Sequence, residues 1–311
     1  MSTATILVTY HTGQVLGRSI TTLLAQDGLD TLVVVNNGNP PETVNALRHL
    51  EAADDRVLLI TGQGNIGFAR GCNLGANSAP ADSEYLLFIN PDCVLDQNTL
   101  PALLDTARDL PDPFIVSPLL VNPDGTEQRG GRRDVLTPWR ATVEWTRLYH
   151  LAPNHPYFRR FNQHSQHPIT DTSPVNVVSG AAMLMKRDTF DVLGGFDEQY
   201  FLHVEDIDLC LRLLRSGGTP WVCPHARLTH HASSSRASPV FIEWHKTRGF
   251  ARYFQKHFAG VYPPGFLPLV RLGVYLRFIA HLPLLVIRHT RYVRRARITA
   301  ATRQDVGRPE F

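Results

Sequence analysis

The first 120 residues repeat one unit: a short apolar run, a turn, then a stretch of helical periodicity. Apolar runs of strand length fall at Thr5–Thr9, Leu32–Val35, Val57–Ile60, Tyr85–Ile89 and Phe114–Val116. Helical patterns lie between them around Gly17–Ala25, Glu42–Leu50, Gly67–Ser78 and Asn98–Arg108. Strands apolar along their whole length belong in a sheet covered on both faces. Strand–helix–strand repetition requires parallel pairing with right-handed crossovers. The pattern therefore predicts a mostly parallel α/β sheet flanked by helices.

Two acidic sites, far apart in sequence, sit where such a sheet places chemistry. Asn90-Pro91-Asp92 ends the run Tyr85–Ile89, and Glu205-Asp206-Ile207-Asp208 opens a helical pattern closed by Gly217-Gly218. A carboxylate at a strand's C-terminal end borders the ligand crevice of an open α/β sheet. An acidic helix start facing that crevice divides the work: one cluster for a metal–diphosphate, the other for removing a proton. That division suits transfer of a sugar from a nucleotide.

At 311 residues, with 43% hydrophobic and 19% charged, the chain has the composition of an ordinary globular protein of one large or two small domains. No basic start leads into an apolar stretch and a cleavage site, so an unsecreted protein is expected. Cys72, Cys93, Cys210 and Cys223 are scattered without a C-x-x-C pair, which fits reduced thiols and argues against zinc. Arg288, Arg291, Arg294, Arg295 and Arg297 crowd one acid-free segment; removing these five charges from the net +3 leaves −2. A slightly acidic body argues against a nucleic-acid partner, and the basic tail points to a local anionic one.

From Glu127 to Pro174 five prolines, Pro138 the first after the strand region, break the periodicity, so a long irregular segment is expected. His150, His155, His164 and His167 scatter through it without ligand spacing. Regular structure resumes with Val175–Met185, a helix over Glu205–Arg215, a short strand near Arg227–Thr229 and a helix over Val240–His257. Phe266–Ile287 is apolar but holds Arg271, Arg277 and His281, which disfavour a membrane-spanning helix. Arg277, His281 and Arg288 share one helical face, so an amphipathic helix lying on an anionic membrane surface is expected.

Gly62-Gln63-Gly64-Asn65-Ile66-Gly67 matches G-x-G-x-x-G between a strand and a helix, the context of dinucleotide binding. It follows the third strand, however, and Asp82 and Glu84 precede the next strand instead of ending it. NAD or FAD binding is set aside in favour of glycines that allow tight turns or close approach to a nucleotide.

In order along the chain, ILVTYHTG, VVVNNGN, GNIGFARGCNLGAN, LLFINPD, VVSGAAMLMKRDTFDVLGGFDE, YFLHVEDIDLCLRL and HHASSS resemble the family 2 glycosyltransferases of the GT-A fold, especially their rhamnosyltransferase-like branch. The resemblance implies a Rossmann-like domain over residues 1–258, with a nucleotide-binding part about 1–120 and an acceptor-binding part about 121–258. A C-terminal amphipathic helical, basic tail over 259–311 follows.

The resemblance also implies the chemistry. Asn90 and Asp92 stand at the D-x-D position, near a divalent metal on the nucleotide diphosphate. Asp92 is an anionic ligand, Asn90 offers a neutral oxygen, and Mg2+ or Mn2+ fits such oxygen ligands. Thr9, His11, Asn36, Asn37, Asn65, Arg70 and Asn73 fall at donor-contacting positions, Asn36 where Asp is common; Arg70 has a surface ion pair as its alternative. Asp206 is the expected base, removing a proton as the acceptor hydroxyl attacks and inverts the anomeric carbon. Gly180, Asp197 and Glu205 are expected at the acceptor, and Asp208 pairs with Arg212 at i,i+4. One of His230 and His231 reaches the metal, since strand neighbours face opposite ways; His231 is the choice. Ser233–Ser235 and Arg236 are phosphate candidates.

The expected reaction moves a sugar from a nucleoside-diphosphate donor, dTDP-L-rhamnose the leading candidate, to a saccharide or lipid-linked saccharide in bacterial surface-polysaccharide synthesis. The expected location is cytoplasmic, peripheral on the inner membrane. UDP-hexose or UDP-galactofuranose transfer is the alternative chemistry. A non-catalytic nucleotide-sugar-binding module of an envelope assembly complex is the alternative class.

Overall fold

The structure, a computed structural model, describes residues 2–152, 155–231 and 237–306; the side chains of Arg288 and of residues 291–306 lie outside that description, as do Ser233–Ser235 and Arg236. The chain divides into two compact units, Met1–Arg236 and Ala237–Phe311.

In the first unit β1 (Thr3–Thr9), α1 (Val15–Leu24), β2 (Thr31–Asn36), α2 (Pro41–Ala53), β3 (Val57–Ile60), α3 (Phe68–Ser78) and β4 (Tyr85–Ile89) follow the expected alternation. β3, β2, β1 and β4 pair in parallel. Leu16, Ile20 and Leu23 recur at helical spacing on α1 and join Leu7, Val34 and Leu87 of the strands in one buried cluster. Burial of that stripe is what docks α1 on the sheet.

The unit continues through β5 (Cys93–Leu95), α4 (Thr99–Asp109), β6 (Phe114–Val121), β7 (Arg132–Arg133), α5 (Pro138–Thr146), β8 (Ser173–Pro174), β9 (Val177–Val178), β10 (Ala182–Lys186), α6 (Arg187–Val192), α7 (Glu205–Arg215) and β11 (Thr219–His230). Among the described residues the main sheet has nine strands, ordered β3-β2-β1-β4-β10-β6-β11-β5 with β8 on β11; β7 and β9 pair separately. β10 runs antiparallel between β4 and β6, and β5 runs antiparallel to β11. This reversed strand positions the site. Ala182 pairs with Ile89, so the preceding Gly180-Ala181 lies beside Asn90, whose N–H donates to the Ala181 carbonyl at 2.9 Å. His230 pairs with Cys93, which brings the end of β11 to the residue after Asp92.

Two expectations are corrected. The segment from Glu127 to Pro174 is not irregular throughout: Pro138 opens α5, and the Thr137 hydroxyl accepts from the Arg140 N–H at 3.1 Å. Proline at a first helical position loses no hydrogen bond, because that N–H has no intrahelical partner. β11 extends over 12 residues, where the apolar pattern marks only Arg227–Thr229, because a register shift between Cys223 and Arg227 absorbs Pro224 without ending the pairing.

In the second unit α8 (Pro239–Phe258) and α9 (Phe266–Val306) pack together. α8, grouped with the sheet domain from sequence, thus falls with the C-terminal helix. Trp244 lies 6.1 Å from Tyr275 and 5.5 Å from Phe278 between ring centroids, and Glu243 pairs with Arg277 at 2.5 Å. Phe266–Ile287, with a mean hydropathy of 1.6, is long and apolar enough to cross a membrane, although its basic residues spoke against a span.

Candidate active site

Asp92 follows β4 and is nearly buried; its Oδ1 lies 3.2 Å from His230 Nε2. Across the ring, His230 Nδ1 is 2.6 Å from Gln128 Oε1. Gln128 Nε2 donates to the His230 carbonyl at 3.0 Å and to Asn122 Oδ1 at 3.2 Å. An amide nitrogen spent on two oxygens leaves its own oxygen for the imidazole, so Nδ1 carries the proton in the neutral ring. Nε2 then faces Asp92 as a second hydrogen-bond acceptor. Two acceptors at this distance call for a proton or cation between them, and a histidine oriented by its far nitrogen is prepared for metal ligation.

Cys93 also brings its sulfur within 4.8 Å of the Asp92 and His230 ligand atoms. It is fully buried, and burial, with Asp92 next to it, pushes the thiol well above its ordinary range. Its Sγ donates to the Ala181 carbonyl at 3.4 Å, and soft sulfur suits Mg2+ or Mn2+ poorly. The donor set is therefore carboxylate and imidazole, which fits a divalent cation completed by diphosphate oxygens. The expected histidine is corrected: His230, not His231, turns its ring to Asp92, while the His231 backbone N–H donates to the Asp92 carbonyl at 3.0 Å. Asn90 presents Nδ2 to His230 Nε2 at 3.5 Å in place of the expected oxygen; a half-turn of the amide exchanges the two.

Glu205 and Asp206 open α7, directly after His203 and Val204 at φ 67° and 75°. A left-handed β-branched residue is an outlier, costing about 1–3 kcal/mol that the surrounding contacts must offset. Asp206 Oδ2 takes the Gly180 N–H at 2.9 Å and Arg133 Nη2 at 2.5 Å, and Oδ1 takes the Ile207 N–H at 2.8 Å. Burial alone would raise the Asp206 carboxyl, but Arg133 and these N–H groups hold it below the usual carboxylate range. Glu205 has no such cation in contact, and its Oε2 has no hydrogen-bond partner. Burial, then the adjacent Asp206 charge, pushes its carboxyl up to about 8. Two neighbouring acids are thus driven apart, one ionised and one protonated at neutral pH. Asp208, as expected, pairs with Arg212, at 2.7 Å.

The donor-side residues divide. Thr9 is fully buried, with Oγ1 on Thr12 Oγ1 at 3.1 Å. Asn36 spends its amide on Thr61 and Asn39. Asn39, which the sequence did not single out, also takes the His11 N–H and donates to the Thr9 carbonyl, tying the ends of β1 and β2 together. Asn37 donates to the Gly67 carbonyl but keeps a buried Oδ1 without a partner. Asn65 caps the turn at Gly67. Arg70 pairs with Glu198, the ion-pair alternative to its nucleotide contact. Asn73 bonds both backbone groups of Phe196, so its amide holds the Gly195-Phe196 turn and is not free for a nucleotide. Asp197 caps its own turn through the Gln199 N–H.

Comparison with known proteins fits this arrangement. The chain is 29% identical over 250 residues to the N-acetylglucosaminyl-diphospho-decaprenol L-rhamnosyltransferase of Mycobacterium tuberculosis, covering 74% of this chain and 76% of that one. It is 28% identical over 180 residues to the Rhamnosyltransferase WbbL of Escherichia coli, covering 57% and 64%. Among solved structures, GalNAc-T7 with UDP, GalNAc and Mn2+ superposes with a TM-score of 0.57 at 15% identity over 89% of this chain; the chain spans 54% of that protein. The mannosyltransferase PcManGT of Pyrobaculum calidifontis with GDP-Man and Mn2+ gives 0.54 at 15%, covering 97% and 80%. Both likenesses concern the fold, which is GT-A. The model of glycosyl transferase family 2 matches residues 5–194, most of the sheet unit and well over half of the chain, and the chain belongs to that family.

Proposed function

We propose that this glycosyltransferase is metal-assisted and inverting, with Asp92 and His230 as the metal ligands and Asp206 as the base. One observation carries the reading: Ala181 accepts from the Asn90 N–H while its neighbour Gly180 donates to Asp206, so two residues link the metal corner to the base. Asp206 takes the proton of an acceptor hydroxyl as that oxygen bonds to the anomeric carbon and the bond to the diphosphate breaks. Attack from the face opposite the leaving group inverts the centre. When bound, a divalent cation, Mg2+ or Mn2+, supplies charge that stabilises the departing diphosphate. Asn37, with its open Oδ1, contacts the nucleotide, and Glu205, neutral at pH 7, and Gly180 border the acceptor.

The rhamnosyltransferase relatives support dTDP-L-rhamnose as donor, and the diphospho-decaprenol named for one of them supports a lipid-linked saccharide as acceptor. Leu269, Leu272, Leu276 and Ile279 recur at heptad spacing on α9, and each is more than half exposed. Arg271, Arg277 and His281 fall outside that stripe. An apolar stripe with basic flanks supports α9 lying on the anionic cytoplasmic face of the inner membrane. Deletion after Ile287 is expected to reduce binding to anionic liposomes; unchanged binding overturns this part.

The test of the reaction is nucleoside-diphosphate release from a donor panel, with membrane-lipid extract and with or without Mn2+ or Mg2+. Metal-dependent release from dTDP-L-rhamnose is expected. Release from UDP-hexoses alone moves the assignment to that donor class. Binding without release across acceptors favours a nucleotide-sugar-binding module.

A further inference from the structure

Asp206 is held by more than its own helix. A carboxylate offers about four lone-pair positions. Arg133 Nη2 and the Gly180 N–H fill those of Oδ2, and the Ile207 N–H fills one on Oδ1. One position on Oδ1 is left for a substrate hydroxyl. Arg133 is itself built in. It is 9% exposed, Nη2 also donates to the Val178 carbonyl at 2.8 Å, and the guanidinium sits 5.7 Å from the Phe161 ring centroid. Its backbone is fixed by pairing with Val177. The adjacent Arg132 pairs with Glu127 through two bonds of 2.6 and 3.0 Å, so the two arginines are not interchangeable.

The charged and titratable groups around Asp206 come from two elements. α7 contributes Glu205, Asp208 and Cys210, and Asp208 is already matched by Arg212. β7 contributes Arg133. The turn before β10 contributes only the Gly180 amide. Arg133 is thus the cation in contact with Asp206, with the Glu205 carboxyl beside that pair.

We propose that Arg133 is a positioning residue of the transfer reaction: by gripping Asp206 Oδ2 it turns Oδ1 to the acceptor hydroxyl and supplies the counter-charge that places the pair's negative charge on Asp206. This rests on Asp206 being the base. Without Arg133, burial and the neighbouring carboxyl raise the Asp206 carboxyl out of its lowered range. The acid limb of the rate profile then moves up by about one to three pH units, the usual effect of an opposite charge at contact.

The experiment compares wild type, Arg133→Gln, Arg133→Lys and Asp206→Asn by two readouts. Infrared difference spectroscopy from pH 3 to pH 8 follows the protonated carboxyls and needs no substrate. Arg133→Gln is expected to keep one carboxyl protonated to a pH about one to three units higher than wild type, a signal that disappears when Asp206→Asn is added, and Arg133→Lys to shift little. In nucleoside-diphosphate release from dTDP-L-rhamnose with membrane-lipid extract, Arg133→Gln loses most of its rate relative to wild type near pH 5 and recovers towards pH 8. A purely structural arginine lowers the rate equally at every pH and leaves the infrared count unchanged, and that result overturns the proposal. If Arg133→Gln does not fold, Arg133→Met takes its place in both readouts: a carboxyl protonated to higher pH with a raised acid limb upholds the proposal, and an unmoved count and limb overturn it. Substantial turnover in Asp206→Asn defeats the base assignment itself; an inactive Asp206→Asn beside an unshifted Arg133→Gln defeats only the role of Arg133.

Discussion

Replacing Glu205 by glutamine should make the protein more resistant to alkaline pH. Glu205 is 5% exposed, Oε2 has no partner, and burial and Asp206 push its carboxyl from about 4.5 to about 8. A group whose value is raised by folding contributes stability that is complete below its unfolded value. That contribution is lost as pH climbs through the folded one. Each pH unit between the two costs about 1.4 kcal/mol. From pH 6 to pH 8 the wild type therefore loses about 2–3 kcal/mol to this site, a large share of a domain's usual 5–15 kcal/mol. A glutamine side chain keeps the shape and stays neutral, so the variant escapes the loss. Urea unfolding of both proteins at pH 6, 7, 8 and 9 reads the effect directly. The stability gap should widen in favour of Glu205→Gln up to about pH 8 and then level off. A gap constant across that range would refute a protonated, buried Glu205.

Three further outcomes follow from the same contacts. His230→Ala should weaken Mn2+ binding in the presence of a nucleoside diphosphate by at least about tenfold, while His231→Ala stays within about twofold; equal losses, measured calorimetrically, would contradict the tautomer argument. In Gly180→Ala the new Cβ would sit 3.1 Å from Asp206 Cβ, so the carboxylate must shift. Turnover should fall about tenfold with little change in melting temperature, and unaltered turnover would remove Gly180 as a support of the base. Gly67, at φ 86°, would bring a Cβ to 2.6 Å from the Phe201 carbonyl. Gly67→Ala should cost about 2–4 kcal/mol in unfolding experiments, and a cost under about 1 kcal/mol would refute that packing argument.

The parallel half of the sheet was legible because its strands are continuous apolar runs. Val57–Ile60 and Tyr85–Ile89 begin and end where the pattern says. The placement of β10 was not, because insertion of a reversed strand between β4 and β6 is a long-range choice with no local signature. Asp92, Gly180 and Asp206 do gather along one seam, as the motifs implied. Arg133 and Gln128 escaped notice because each works through a partner far along the chain, Asp206 and His230, from a segment without periodicity. The Gly130-Gly131-Arg132-Arg133 run was the available signal. The choice between His230 and His231 turns on strand parity, which only the register with β5 reveals. Asn73 looked like a nucleotide contact because its motif cannot show that its amide is spent on Phe196.

The central claim is that Asp206 removes the proton in a sugar transfer, and single-turnover transfer by wild type and Asp206→Asn tests it most directly. The donor that releases nucleotide should be used at saturating concentration, with its binding measured alongside. The account predicts donor affinity close to wild type and a transfer rate lower by about 10²–10⁴-fold, the usual contribution of a positioned base. Transfer within about tenfold of wild type would contradict it, since proton transfer by a positioned group contributes more than that.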